Sequence, residues 1–102
     1  MGLRHWAFVY TAGGHPTDGT FTVVDNGTSR TVLVGVPDVD SGVRLAARLV
    51  DDGAQLIELC GGFGPVGTAR VLEAIDHRVP VGSVGYGPES VDGVHAIFTR
   101  SA

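Results

Sequence analysis

The sequence predicts an α/β fold: a single-domain sandwich with a mostly parallel sheet. Three observations carry that expectation. At 102 residues the chain has the length of one domain, spanning 1–102. With 43% hydrophobic and 18% charged residues it can form a packed core and does not read as disordered. From Arg30 to Tyr86 the segments alternate as β-α-β-α-β, and such connections are right-handed and build parallel sheets.

Each element has a local cause. Residues 5–12, His-Trp-Ala-Phe-Val-Tyr-Thr-Ala, are rich in aromatic and β-branched side chains and read as a first strand. Gly13 to Gly19 is a loop. Phe21 to Val24 is a short strand, and Asp25-Asn26-Gly27 is a hairpin-type turn. Arg30 to Val36 is a strand stopped by Pro37, which lacks an N–H for the ladder.

Asp38 is an N-cap for a helix of about fourteen residues. Val39, Val43, Ala46, Ala47 and Val50 fall on one side of it, and Asp40, Arg44, Arg48, Asp51 and Asp52 on the other. Gly53 stands where a left-handed residue ends a helix. Gln55 to Cys60 has the unbroken apolar look of a strand buried on both faces. Gly61 to Gly64 turns the chain, and Pro65 begins a helix with Ala69, Leu72 and Ile75 inward. Val79 to Tyr86 reads as the next strand, Gly87 to Ser90 as a loop, and Val94 to Thr99 as a C-terminal strand.

In open parallel sheets ligands bind beyond the carboxyl ends of the strands. Two loops fit: Cys60-Gly-Gly-Phe-Gly-Pro-Val-Gly67 and Tyr86-Gly-Pro-Glu-Ser90. Gly62-Phe-Gly64-Pro-Val-Gly67 matches G-x-G-x-x-G between a strand and a helix. Glycines let the backbone approach a ligand, and a helix start presents unpaired N–H groups. The expected contacts to a small anionic or phosphate-bearing ligand are therefore Gly61, Gly62, Phe63, Gly64, Gly67, Tyr86, Glu89 and Ser90. A full dinucleotide fold needs more strands than this chain supplies. A turn of this kind also serves plain helix–sheet packing, so the two readings stand side by side.

Cys60 and Glu58 are the candidate catalytic residues. Cys60 precedes a helix start, a setting that activates thiols, although a lone cysteine is commonly a small buried hydrophobe. Glu58 within a buried strand requires a partner, either Arg30 or Arg100, or a role as base or acceptor. Alternation places Glu58, Cys60 and Leu56 on one face. Trp6, Phe8 and Tyr10 alternate on the first strand as core or subunit-contact residues.

Composition narrows the function classes. The net charge is −4, with seven arginines, no lysine and no basic run, which gives nucleic-acid binding no electrostatic support. His5, His15, His77 and His95 have no metal-ligand spacing, so no metal site is expected and no cofactor is identified. His77 reads as a solvated residue at a helix end. His5 and His95 fall at strand starts, and His15 in a flexible-looking loop. One cysteine excludes an intramolecular disulfide. The absence of a leader-like or membrane-spanning apolar run points to the cytoplasm and away from membranes. A mean hydropathy of +0.21 in so short a chain predicts a homo-oligomer with apolar surface covered.

The segments Gln55-Leu-Ile-Glu-Leu-Cys-Gly-Gly-Phe-Gly-Pro65 and Val79-Pro-Val-Gly-Ser-Val-Gly-Tyr-Gly-Pro-Glu-Ser90 resemble a small family of uncharacterised bacterial proteins of this length, a domain of unknown function. The resemblance runs over essentially the whole chain. It implies a stand-alone bacterial α/β protein with two motif-like loops and brings no catalytic residues with it.

Overall fold

The computed structural model describes residues 2–100, with the backbone alone at Arg100. Its strands are β1 (His5–Thr11), β2 (Thr20–Asp25), β3 (Arg30–Val36), β4 (Ile57–Leu59) and β5 (Val81–Ser83). Its helices are α1 (Val39–Asp51), α2 (Gly64–Ala74) and α3 (Pro88–Arg100), with a 3-10 turn at Gly61–Phe63. The sheet order is β2-β3-β1-β4-β5, with β2 antiparallel to β3 and every other pairing parallel. The expected α/β class and mostly parallel sheet are present.

One topological step shapes everything else. From β3 to β4 and from β4 to β5 the chain moves in the same direction across the sheet, so right-handed crossovers lay α1 and α2 on the same face. The one step in the opposite direction, from β1 to β3, runs through the strand β2 and not through a helix. The second face therefore receives no helix from any crossover.

The core lies under α1 and α2. Ala7, Val9, Val32, Val34, Val36, Ile57 and Leu59 point from the strands into it, against Leu45, Ala46 and Leu49 of α1, Val71 of α2 and Ile75 just after α2. Asp38 caps α1 as its position predicts, accepting from the Ser41 N–H at 2.8 Å and the Ser41 hydroxyl at 2.7 Å. Those hydrogen bonds, the side-chain one first, hold its carboxyl below the ordinary value. Gly53 is left-handed at φ +111°. Between β2 and β3, Asn26 Oδ1 accepts from the Thr28 and Ser29 N–H groups, both at 2.9 Å, and closes the expected turn.

The structure corrects several local expectations. Residues 94–99 are not a strand but part of α3. Val91, Val94, Ile97 and Phe98 share one helical side, Pro88 begins the helix and Glu89 sits in its first turn. The β-branched run there fits either period, and the helix start decides it. β4 is buried on one face only: Ile57 and Leu59 are enclosed and Glu58 between them is exposed. α1 turns Ser41, Gly42, Leu45, Ala46 and Leu49 inward. In α2 it is Gly67 and Val71 that are buried, whereas Ala69 faces out. His95 lies in α3 and not at a strand start. α2 ends at Ala74, and His77 follows in the left-handed region at φ 55°.

Candidate functional site

The connection after β1 leaves toward β3 and the one after β4 leaves toward β5, so the chain diverges above these two neighbouring strands. Divergence of that kind opens a crevice at the carboxyl ends, where α/β proteins place ligands. A cavity of about 410 Å³ occupies this crevice, within the size range of small-molecule sites. Tyr10 and Thr11 end β1 and form one side of it; Cys60, Gly61 and Gly62 follow β4 and form the other. Tyr86, from the segment after β5, and Val94 and Phe98 of α3 complete the lining.

The two strand ends are tied together at the thiol. The Thr11 N–H donates to Cys60 Sγ at 3.4 Å, and Thr11 Oγ1 lies 3.6 Å from the same sulfur. Gly62 packs so close to β1 that a Cβ there would stand 2.7 Å from Thr11 Oγ1. Only a glycine admits that approach without movement. Gly61 passes just beneath the Tyr86 ring, where a Cβ would meet Cε2 at 3.3 Å. Among the described residues no lining side chain is charged. The polar groups of the lining are the threonine hydroxyl, the thiol, the tyrosine hydroxyls and the backbone of the turn.

The expected site residues divide. Cys60, Gly61, Gly62 and Tyr86 line the cavity together. Phe63 turns into the core at 5% exposure, its ring end reaching α1 at Gly42. Gly64 adopts φ +61° as the chain enters α2, and Gly67 is buried against Phe63 and Val39. Glu89 and Ser90 belong to the first turn of α3, with Glu89 folded back over Gly87. Glu58 shares the outward face with Cys60 but borders a separate shallow depression with Gly82, Ser83 and Val84. Of its expected partners, Arg30 instead reaches Asp25 at 3.8 Å, and the Arg100 side chain lies outside the described residues.

A family model matches residues 4–99, almost the entire chain, and its description is a family of unknown function, DUF6506. The chain belongs to that family. A search of curated proteins finds no match to it. What a DUF6506 domain does must therefore be argued from its site.

Four cavity residues of this DUF6506 chain escaped the sequence reading: Tyr10, Thr11, Val94 and Phe98. A threonine closing a strand rich in aromatic and aliphatic residues was the available signal for Thr11. Its meaning depended on β1 lying beside β4, which no local pattern encodes. Val94 and Phe98 stand four apart, a helical spacing that the strand reading hid. His15, which looked like a loop residue, is placed over Gly35: its Nδ1 lies 2.9 Å from Thr20 Oγ1 and its ring packs edge-on against Tyr10 at 5.4 Å. Among the described residues no helix is long and apolar enough to cross a membrane.

Proposed function

We propose that this protein binds a small molecule with an apolar or aromatic body and one carboxylate or phosphate group. The observation that carries this reading is the position of the cavity at the diverging ends of β1 and β4, with Tyr10, Tyr86 and Phe98 around it. Aromatic walls supply the apolar contact area that drives affinity. The polar end of the ligand sits at the Gly61–Gly62 backbone and the Thr11 hydroxyl, where groups without side chains allow close approach. An uncharged lining favours a ligand carrying a single charge over a polyphosphate.

A set of aryl and alkyl monocarboxylates and monophosphates, with inorganic phosphate as the head-group control, tests the reading. Binding stabilises the folded chain by RT ln(1 + [L]/Kd), about 2.7 kcal/mol at a hundredfold excess, so it raises the melting temperature and slows alkylation of Cys60. Tyr86→Ala weakens both effects without unfolding the chain, because Tyr86 is 57% exposed. If no member stabilises the protein or protects the thiol, the reading is wrong.

Catalysis by Cys60 is the competing reading, favoured by its sulfur meeting Thr11 at the cavity wall. It predicts that a bound compound is chemically altered or attached to the protein, which mass analysis after incubation detects.

A further inference from the structure

Four neighbouring positions form a row across the sheet at the end where the cavity lies. Thr20 of β2 pairs with Gly35 of β3, and Gly35 pairs with Tyr10 of β1. Cys60 continues the row, because it follows Leu59, the β4 partner of Val9. Side chains of paired residues leave a sheet on the same side. Thr20, Tyr10 and Cys60 therefore share the face opposite α1 and α2, and the glycine leaves a gap in the row between Thr20 and Tyr10.

His15 fills that gap from the loop between β1 and β2. Its ring lies over Gly35 so closely that a Cβ there would stand 2.5 Å from Nε2 and 2.6 Å from Cε1. On one side Nδ1 is 2.9 Å from Thr20 Oγ1; on the other the ring meets Tyr10 edge-on, with centres 5.4 Å apart. The loop is held at both ends. The Ala12 N–H donates to the Val36 carbonyl at 2.9 Å, and Gly19, at φ +86°, runs beside the Leu45 and Val34 side chains. Tyr10 thus has His15 on its β3 side and the cavity, with Thr11 and Cys60, on its β4 side.

We infer that His15 is a positioning residue for the cavity: its ring occupies the gap over Gly35 and holds Tyr10 as the cavity wall. The inference rests on the reading of that cavity as the ligand site. Volume is the physical reason. Phe8 supports the Tyr10 ring along β1, with centres 6.3 Å apart, but does not block it sideways toward β3. Removing the imidazole vacates the space above Gly35, and the Tyr10 ring leans into it, away from Cys60. The cavity then widens and admits bodies that the close-packed arrangement excludes. His15 does not itself line the cavity, so it sets the size of the ligand body through Tyr10 alone.

Alkylation of Cys60 by a small reagent, iodoacetamide, and a ring-bearing one, N-phenylmaleimide, tests the inference. Each rate is divided by that of the unfolded chain. His15→Ala raises the N-phenylmaleimide rate by up to about tenfold, the factor that matches a ring contact of about 1.4 kcal/mol. It changes the iodoacetamide rate much less. Gly35→Ala acts in the same direction but more weakly, because it expels the imidazole while its methyl refills part of the gap. His15→Phe keeps a ring over Gly35 and holds both rates near those of the unaltered chain. A His15 that merely anchors the loop would lower the urea midpoint when replaced and leave the ratio of the two rates unchanged; that result overturns the inference. Should the alanine variants fail to fold, Thr20→Val, at an exposed position, removes the partner of Nδ1, and an unchanged ratio there overturns it equally. Phenyl phosphate separates this inference from the ligand reading. Where it protects Cys60 in the unaltered chain, His15→Ala weakens the protection. If neither it nor its relatives protect, the ligand reading fails, and the rate ratio still decides the role of His15.

Discussion

Thr11 and Cys60 face each other across the ends of two parallel strands that are separated by almost fifty residues of chain. The Thr11 N–H points at the sulfur from 3.4 Å, and this contact sets the width of the crevice beside it. Gly62 is part of the same arrangement, because its missing side chain is what lets Thr11 Oγ1 come so near.

That proximity predicts energetic coupling. Gly62→Ala forces the Thr11 hydroxyl aside and costs about 1–3 kcal/mol, the usual range for overpacking. In a Thr11→Ala background the obstructing oxygen is gone and most of that cost disappears. A double-mutant cycle on urea midpoints measures the coupling; simple additivity refutes the account.

Gly42 sets two effects of opposite sign against each other. Alanine at an exposed helical position gains roughly 1 kcal/mol over glycine. At Gly42 a Cβ would lie 2.6 Å from Phe63 Cζ and 2.9 Å from Cε2, and Phe63 is enclosed in the core. The ring has little room to yield, so the overpacking cost of about 1–3 kcal/mol outweighs the helical gain. Gly42→Ala therefore lowers the urea midpoint, whereas a rise would mean that the ring moves freely.

Asp38 makes the stability of α1 depend on pH. Hydrogen bonds from Ser41 depress its carboxyl in the folded protein, with a smaller contribution from the nearby Arg44 charge. A depressed folded value means that the stabilisation is complete above the unfolded value, near 3.9, and is lost as pH falls through the lower folded value. Asp38→Asn keeps an acceptor at the cap and removes the titration. The two proteins should differ in melting temperature at neutral pH and converge in strong acid, a comparison that calorimetry makes directly.

Much of the fold was legible because its causes are local. Asp38 and Gly53 bracket α1 through cap chemistry that involves neighbouring residues only. Asp25 and Asn26 close their turn on N–H groups within three residues. Val94 to Thr99 misled because β-branched residues favour strands while their spacing also suits a helix. Pro88 and Glu89 settle the matter by starting α3. A strand covered on both faces would make Glu58 costly; here Ile57 and Leu59 are enclosed while Glu58 between them is exposed to water.

The candidate site was legible by half. Gly61, Gly62 and Cys60 announce a turn at a strand end, and Tyr86 follows the next strand. Tyr10 and Thr11 complete the crevice only because β1 takes the centre of the sheet, between β3 and β4. Phe63, in contrast, leaves the site because a large apolar ring gains more by filling the core under Gly42 than by meeting solvent.

By itself the sequence determined the α/β class, the caps, the hairpin and the glycine turn, since each follows from dihedral preference, hydrogen bonding and periodicity within a few residues. The tertiary structure alone decided the strand order, the sheet face that no crossover helix covers and the meeting of Thr11 with Cys60. Those depend on which distant strands pair and on the handedness of the crossovers, and such relations exist only once the whole chain is packed.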